Sequence, residues 1–200
     1  MNTRQKTALI MPLLIIPSMI AVFQTAYRCT DDRQLAWYIG FLFYWAVWGM
    51  AYPLLLLGRT RVCSLFENKR PKGWGWLGLV LPPLLVLAGT MVIRYDPADT
   101  ITKIILVGTS FVTGTLEEIL WRGIFVSLFP EQWVKGYIYP AICFALWHIA
   151  PGTVSNVPMP SLVLGALVLG LCWGPIVYRT GKVRWTAASH ILTGIMRSIV

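Results

Sequence analysis

Charge is scarce in this chain. Of its 200 residues only 12% are Asp, Glu, Lys or Arg, and just eight of those are acidic. So thin a charged complement cannot solvate the surface of a water-soluble domain whose residues are 56% hydrophobic. Histidine is scarcer still, with two, His148 and His190. The four cysteines, Cys29, Cys63, Cys143 and Cys172, form no CxxC pair and fall in different segments, which argues against a disulfide framework or a zinc knuckle. There is no HExxH and no nucleophile elbow, so no local motif announces a zincin or a serine hydrolase. Internal repeats are also lacking, and with them the two-half symmetry of many transporters. A nucleic-acid role is excluded too: the net charge is +9, but the cations sit in short gaps between apolar runs and form no soluble basic face.

Apolar sequence fills the chain instead. A bilayer core of about 30 Å takes roughly 20 apolar residues per helix. On that ruler seven spans are expected, at 8–27, 35–57, 76–93, 101–129, 137–150, 161–178 and 184–200. The fifth and seventh are short for a full crossing and the fourth is long. The expected fold class is all-α, a polytopic membrane helix bundle of about seven transmembrane helices. Arg4 and Lys6 before Ala8–Phe23 resemble a signal peptide, but the run is long and no A-x-A site follows, so it reads as a retained first span. Pro12, Pro17, Pro53, Pro82 and Pro83 fall inside apolar runs as kinks, and Trp37, Trp74, Trp76, Trp133 and Trp185 near span ends as an aromatic belt. Lys and Arg gather at the N-terminus, in 58–75, at Lys135 and in 179–184, eleven on that side against five on the other. This asymmetry places the N-terminus in the cytoplasm. The expected location is the plasma (inner) membrane. The basic loop 58–75 reads first as a topology anchor, with contact to anionic headgroups as its second role.

Against that background stands Gly114-Thr115-Leu116-Glu117-Glu118-Ile119-Leu120-Trp121-Arg122-Gly123. A charged residue at mid-membrane costs about 2.5–3.5 kcal/mol, so three together call for a reason. In a helix Glu118 and Arg122 lie one turn apart and can pair. Glu117 is rotated by roughly 100° and faces another neighbour. At about 1.5 Å per residue, Glu118 lies roughly 18 Å from Pro130, His148 about 18 Å from Gly136 and His190 about 9 Å from Arg184. The loops that bound these helices fall on one side, so all three side chains can share a layer of the membrane. A lone membrane histidine is usually a hydrogen-bonder between helices, and the Glu118–Arg122 pair alone could be structural. Two histidines, two glutamates and an arginine at compatible depth point to a site. Such a set suits water activated by glutamate, with histidine sharing that water or donating to an oxyanion. Glutamate and histidine are also compatible with zinc.

Glu117-Glu118-x-x-x-Arg122, followed by Phe144-x-x-x-His148 and by His190 in the last span, resembles the motifs of the CAAX-protease and bacteriocin-processing family. These are intramembrane glutamic endopeptidases that include the Rce1-type prenyl-protein proteases. The approach Thr180–His190 is similar as well. The resemblance covers residues 98–200 as a four-helix catalytic core and leaves 1–97 as N-terminal transmembrane helices of unknown role. It implies an endopeptidase acting on a membrane-associated protein or peptide, with no cofactor and no metal. Glu117 is then the catalytic base, His148 binds and activates the water, Glu118 and Arg122 support the site, and His190 contributes to the oxyanion hole. Phe144 and Gly194 fall on the substrate side. Gly194 departs from the pattern, because the family commonly has asparagine four residues after the last histidine. The chain's asparagines, Asn2, Asn68 and Asn156, lie elsewhere, which leaves Ser189, Thr193 or backbone to stand in. The alternative function is a catalytically silent member acting as an immunity or scaffold protein.

Overall fold

The computed structural model describes residues 1–92 and 100–199, and the regular structure among them is helical. Ile93, Arg94 and Val200, which enter the expected span limits or charge count, lie outside the described residues. Helix α1 (Thr3–Thr30) opens on a reciprocal cap in which the Asn2 side chain accepts the Gln5 N–H and the Gln5 side chain accepts that of Asn2. Helix α2 (Arg33–Leu57) opens on Asp32, whose carboxylate accepts from the N–H groups of Gln34 and Leu35. A short α3 (Arg59–Ser64) leads through the basic loop to α4 (Gly75–Val92). Helix α5 (Thr100–Leu128) is followed by α6 (Tyr139–Trp147), α7 (Ile149–Gly152), α8 (Met159–Thr180) and α9 (Arg184–Ile199).

Helices α1, α2, α5 and α8 are long and apolar enough to cross a membrane, and Gly75–Gly89 within α4 is apolar but shorter. Each expected span coincides with helix, and the chain is an all-α helical membrane bundle. The fifth is interrupted: His148 separates α6 from α7. The apolar outer surface fits a lipid environment, with Leu13, Leu55, Ile101 and Leu164 all more than half exposed. Inside are Phe23, Tyr44, Trp121, Phe125 and Trp147, fully buried.

The basic loops meet at one end of the bundle. There the Lys182 Nζ donates to the Ser64 carbonyl at 2.9 Å and pairs with Glu67 at 2.7 Å, and the Val183 N–H donates to the Leu65 carbonyl at 2.8 Å. Gln5 reaches the Leu128 carbonyl at 2.9 Å and Arg61 the Ser127 carbonyl at the same end. Helices α5 and α9 run antiparallel in a tight seam. A Cβ on Gly114 would stand 2.8 Å from the Ile191 backbone nitrogen, so only glycine lets the two helices come this close. This seam brings the carboxylates of α5 against the histidine of α9.

Candidate active site

Helix α5 leaves the α-helical path immediately after Glu118, where Ile119–Gly123 form a π turn. Such single turns concentrate at functional sites because the wider ring re-aims the side chains around it. Glu118 and Arg122 bracket the turn and pair at 3.2 Å, as helical spacing suggested. Both are buried, with exposures of 0% and 3%. The Arg122 Nη1 and Nη2 find no hydrogen-bond acceptor among the described residues. Their charge is met instead by Glu118 and by two aromatic rings, Phe144 at 4.0 Å and Trp173 at 5.7 Å.

His190 sits between the two glutamates. Its Nδ1 lies 3.3 Å from the Glu118 Oε1, and its Nε2 lies 3.6 Å from the Glu117 Oε2. Glu117 therefore faces His190 as well as a neighbour of its own: its Oε1 accepts the Trp147 indole N–H at 3.0 Å. His148 donates to the Phe144 carbonyl across 2.8 Å. A carbonyl only accepts, so Nδ1 carries the hydrogen and Nε2 presents its lone pair. The Phe144 ring meets His148 edge-on at 4.8 Å and His190 at 6.1 Å, and Glu117 lies within electrostatic reach of His148. The residues singled out in three separate apolar runs thus gather in one buried cluster.

Residues 99–196 match a family model described as type II CAAX prenyl endopeptidase Rce1-like. This half of the chain belongs to the Rce1-like family. The family is one of CAAX-type intramembrane proteases, whose substrates are membrane-associated proteins or peptides. No curated protein matched the chain, and no solved structure matched it either.

The Rce1-like segment is completed from outside its own boundaries. Tyr44 of α2 stacks on Trp147 at 4.1 Å and accepts the Trp121 indole N–H at 3.0 Å. The Tyr44 ring thereby holds the very indole that fixes Glu117. Trp173 of α8 stacks on His190 at 4.5 Å and donates to the Ser189 hydroxyl at 3.0 Å, which in turn donates to the Leu79 carbonyl of α4 at 2.6 Å. Tyr44, Trp147 and Trp173 were missed in the sequence because a buried aromatic reads as core in an apolar run. The one local signal was the adjacency of Trp147 and Trp121 to the motif residues.

Ser189 and Thr193, the hydroxyls expected to stand in for the missing amide, are engaged elsewhere. Ser189 donates to Leu79 as above, and Thr193 donates to the Ser189 carbonyl at 2.8 Å. Gly194 lies on the seam, where an added Cβ would stand 2.6 Å from the Ser110 Oγ and 2.8 Å from its Cβ. Gly194→Asn is therefore expected to lower activity and to destabilise the seam by about 1–3 kcal/mol, as overpacking does. Adding Ser110→Ala should restore part of both. Thermal unfolding in detergent and turnover, measured on the single and double variants, check this; faster turnover in Gly194→Asn would show that the added amide reaches the reacting carbonyl.

Proposed function

We propose that this chain is an intramembrane glutamic endopeptidase, hydrolysing a peptide bond of a membrane-associated protein or peptide with water activated by Glu117 and His148. The supporting observation is the buried Glu117 carboxylate, fixed by Trp147 on one oxygen and turned towards His190 on the other, with His148 within electrostatic reach. Glu117 takes a proton from water as the water oxygen bonds to the scissile carbon, and the carbonyl π pair moves to oxygen. The proton then passes from Glu117 to the leaving nitrogen as the C–N bond breaks. His148 accepts a hydrogen bond from the attacking water through Nε2 and so orients it. His190, held flat against Trp173, donates to the developing oxyanion. Glu118 and Arg122 keep that imidazole in place, Phe144 packs edge-on against both imidazoles, and Gly194 is taken up by the contact with Ser110. The reaction as written uses no metal and no cofactor.

Residues 98–200 form the catalytic core in this reading, and 1–97 brace it through Tyr44 and Leu79. The basic end of the bundle faces the cytoplasm, with the chain in the plasma membrane. Gly194, standing where the resemblance leads one to expect asparagine, is the observation that favours the second reading, a silent scaffold or immunity protein. Comparison of protein termini in membranes with and without the chain separates the two. New termini on membrane-associated proteins, present only with the chain, are expected; identical sets would leave the scaffold reading.

Trp147→Phe tests the clamp on Glu117. An aromatic ring, smaller than the indole, is kept against Tyr44, but the N–H to the carboxylate is lost. A hydrogen bond to a charged group contributes about 1.5–3 kcal/mol, so kcat should fall roughly tenfold to a hundredfold with KM little changed. Unchanged kcat would show that the indole only packs.

A further inference from the structure

At the basic end of the bundle a cleft of about 230 Å³ opens between the start of α4 and the end of α8. Its lining includes Lys72, Trp74 and Arg179 as well as Gly78, Cys172 and Ile176. The two helices nearly touch at Gly78, where a Cβ would stand 3.1 Å from the Cys172 carbonyl oxygen.

The two cations differ from their neighbour. Lys182 is neutralised by Glu67 at 2.7 Å, whereas no carboxylate pairs with Lys72 or Arg179 among the described residues. Two unmatched positive charges on facing walls repel each other and attract an anion between them. Trp74 is 84% exposed on the rim, and Trp76 of the first turn of α4 packs edge-on against Trp185 at 5.3 Å. Exposed tryptophan at a helix end marks headgroup depth. The cleft is smaller than the roughly 300–1,000 Å³ of sites that enclose a drug-sized molecule, so it takes a headgroup rather than a whole lipid.

We propose that this cleft binds the phosphate of an anionic phospholipid, held between Lys72 and Arg179, with an acyl chain leaving over Gly78 and Ile176 into the bilayer. Basic pockets between membrane helices recognise anionic headgroups in this way. None of the lining residues belongs to the glutamate–histidine cluster, and binding here does not depend on proteolysis.

The test is lipid retention by the purified full-length protein, read by native mass spectrometry after incubation with phosphatidylglycerol, with phosphatidylcholine and with inorganic phosphate. The expected result is retention of phosphatidylglycerol over phosphatidylcholine, no displacement by inorganic phosphate, and roughly thirtyfold weaker retention in Lys72→Gln/Arg179→Gln, each charge near a membrane surface being worth about 1 kcal/mol. Lys69→Gln/Arg70→Gln, which alters the same loop outside the cleft, should retain phosphatidylglycerol as the unaltered protein does. Equal retention of the two lipids by the unaltered protein would overturn the proposal whatever the variants do. Equal losses in the two double variants would reduce the cleft to general basic attraction, and displacement by phosphate would make it a site for the free anion.

Discussion

Glu117→Gln is expected to abolish cleavage while leaving the protein inserted and folded. Glutamine keeps the shape of the side chain and an oxygen that can accept the Trp147 N–H, now 3.0 Å from the Glu117 Oε1. What it loses is the ability to take a proton from water. Removing a general base lowers the rate by about 10²–10⁴, and more where no other group activates the water. His148, with Nδ1 donating to the Phe144 carbonyl, keeps its Nε2 lone pair free, so any residual cleavage is expected to run through that imidazole. The measurement is the initial rate at which the new terminus forms in lipid vesicles, beside thermal unfolding of the same preparation in detergent. Cleavage at the unaltered rate by a folded Glu117→Gln protein would remove glutamate from the mechanism and leave His148 as the base to test next.

Arg122→Ala is the second large effect, and it falls on folding first. Glu118 is fully buried, its charge is balanced by Arg122 at 3.2 Å, and the His190 Nδ1 lies 3.3 Å from it. Removing the guanidinium leaves a buried carboxylate short of its main counter-charge, which destabilises by roughly 3–5 kcal/mol. It also empties the space over the Phe144 ring, where the guanidinium now lies 4.0 Å from the centroid. Yield and unfolding temperature should both fall, with activity falling alongside them. Adding Glu118→Gln should restore stability in part, because the uncompensated charge is gone even though the packing gap remains. The double-variant cycle isolates the charge term from the packing term. A well-folded, fully active Arg122→Ala protein would show that the pair is dispensable.

The Glu118–Arg122 pair was legible in the sequence because a helix fixes the i,i+4 relation whatever surrounds it, and the π turn between them did not undo it. The shared depth of Glu118, His148 and His190 was legible for a similar reason: rise per residue is constant and the bilayer sets where each helix begins. Apolar run length likewise set the all-α class. The environment of Glu117 was not legible. Rotation by one residue takes it off the Arg122 face, but whether an indole, an imidazole or lipid lies there depends on how helices far apart in sequence pack. Trp147 lies 30 positions away, and Tyr44, which anchors Trp147, lies 77 positions from the Trp121 that donates to it. The two-sided contact of His190 with both carboxylates was hidden for the same reason.

Local chemistry also left the roles of Ser189, Thr193 and Gly194 open, and the α5–α9 seam decided them. Ser189 turned to Leu79 and Thr193 to its own helix, while Gly194 became the point of contact with Ser110. The sequence by itself determined which residues are too costly to leave in lipid, and therefore which must find partners inside the bundle. Only the tertiary structure decided who those partners are, because a side chain's direction is local whereas what it meets is set by the close packing of helices brought together from distant parts of the chain.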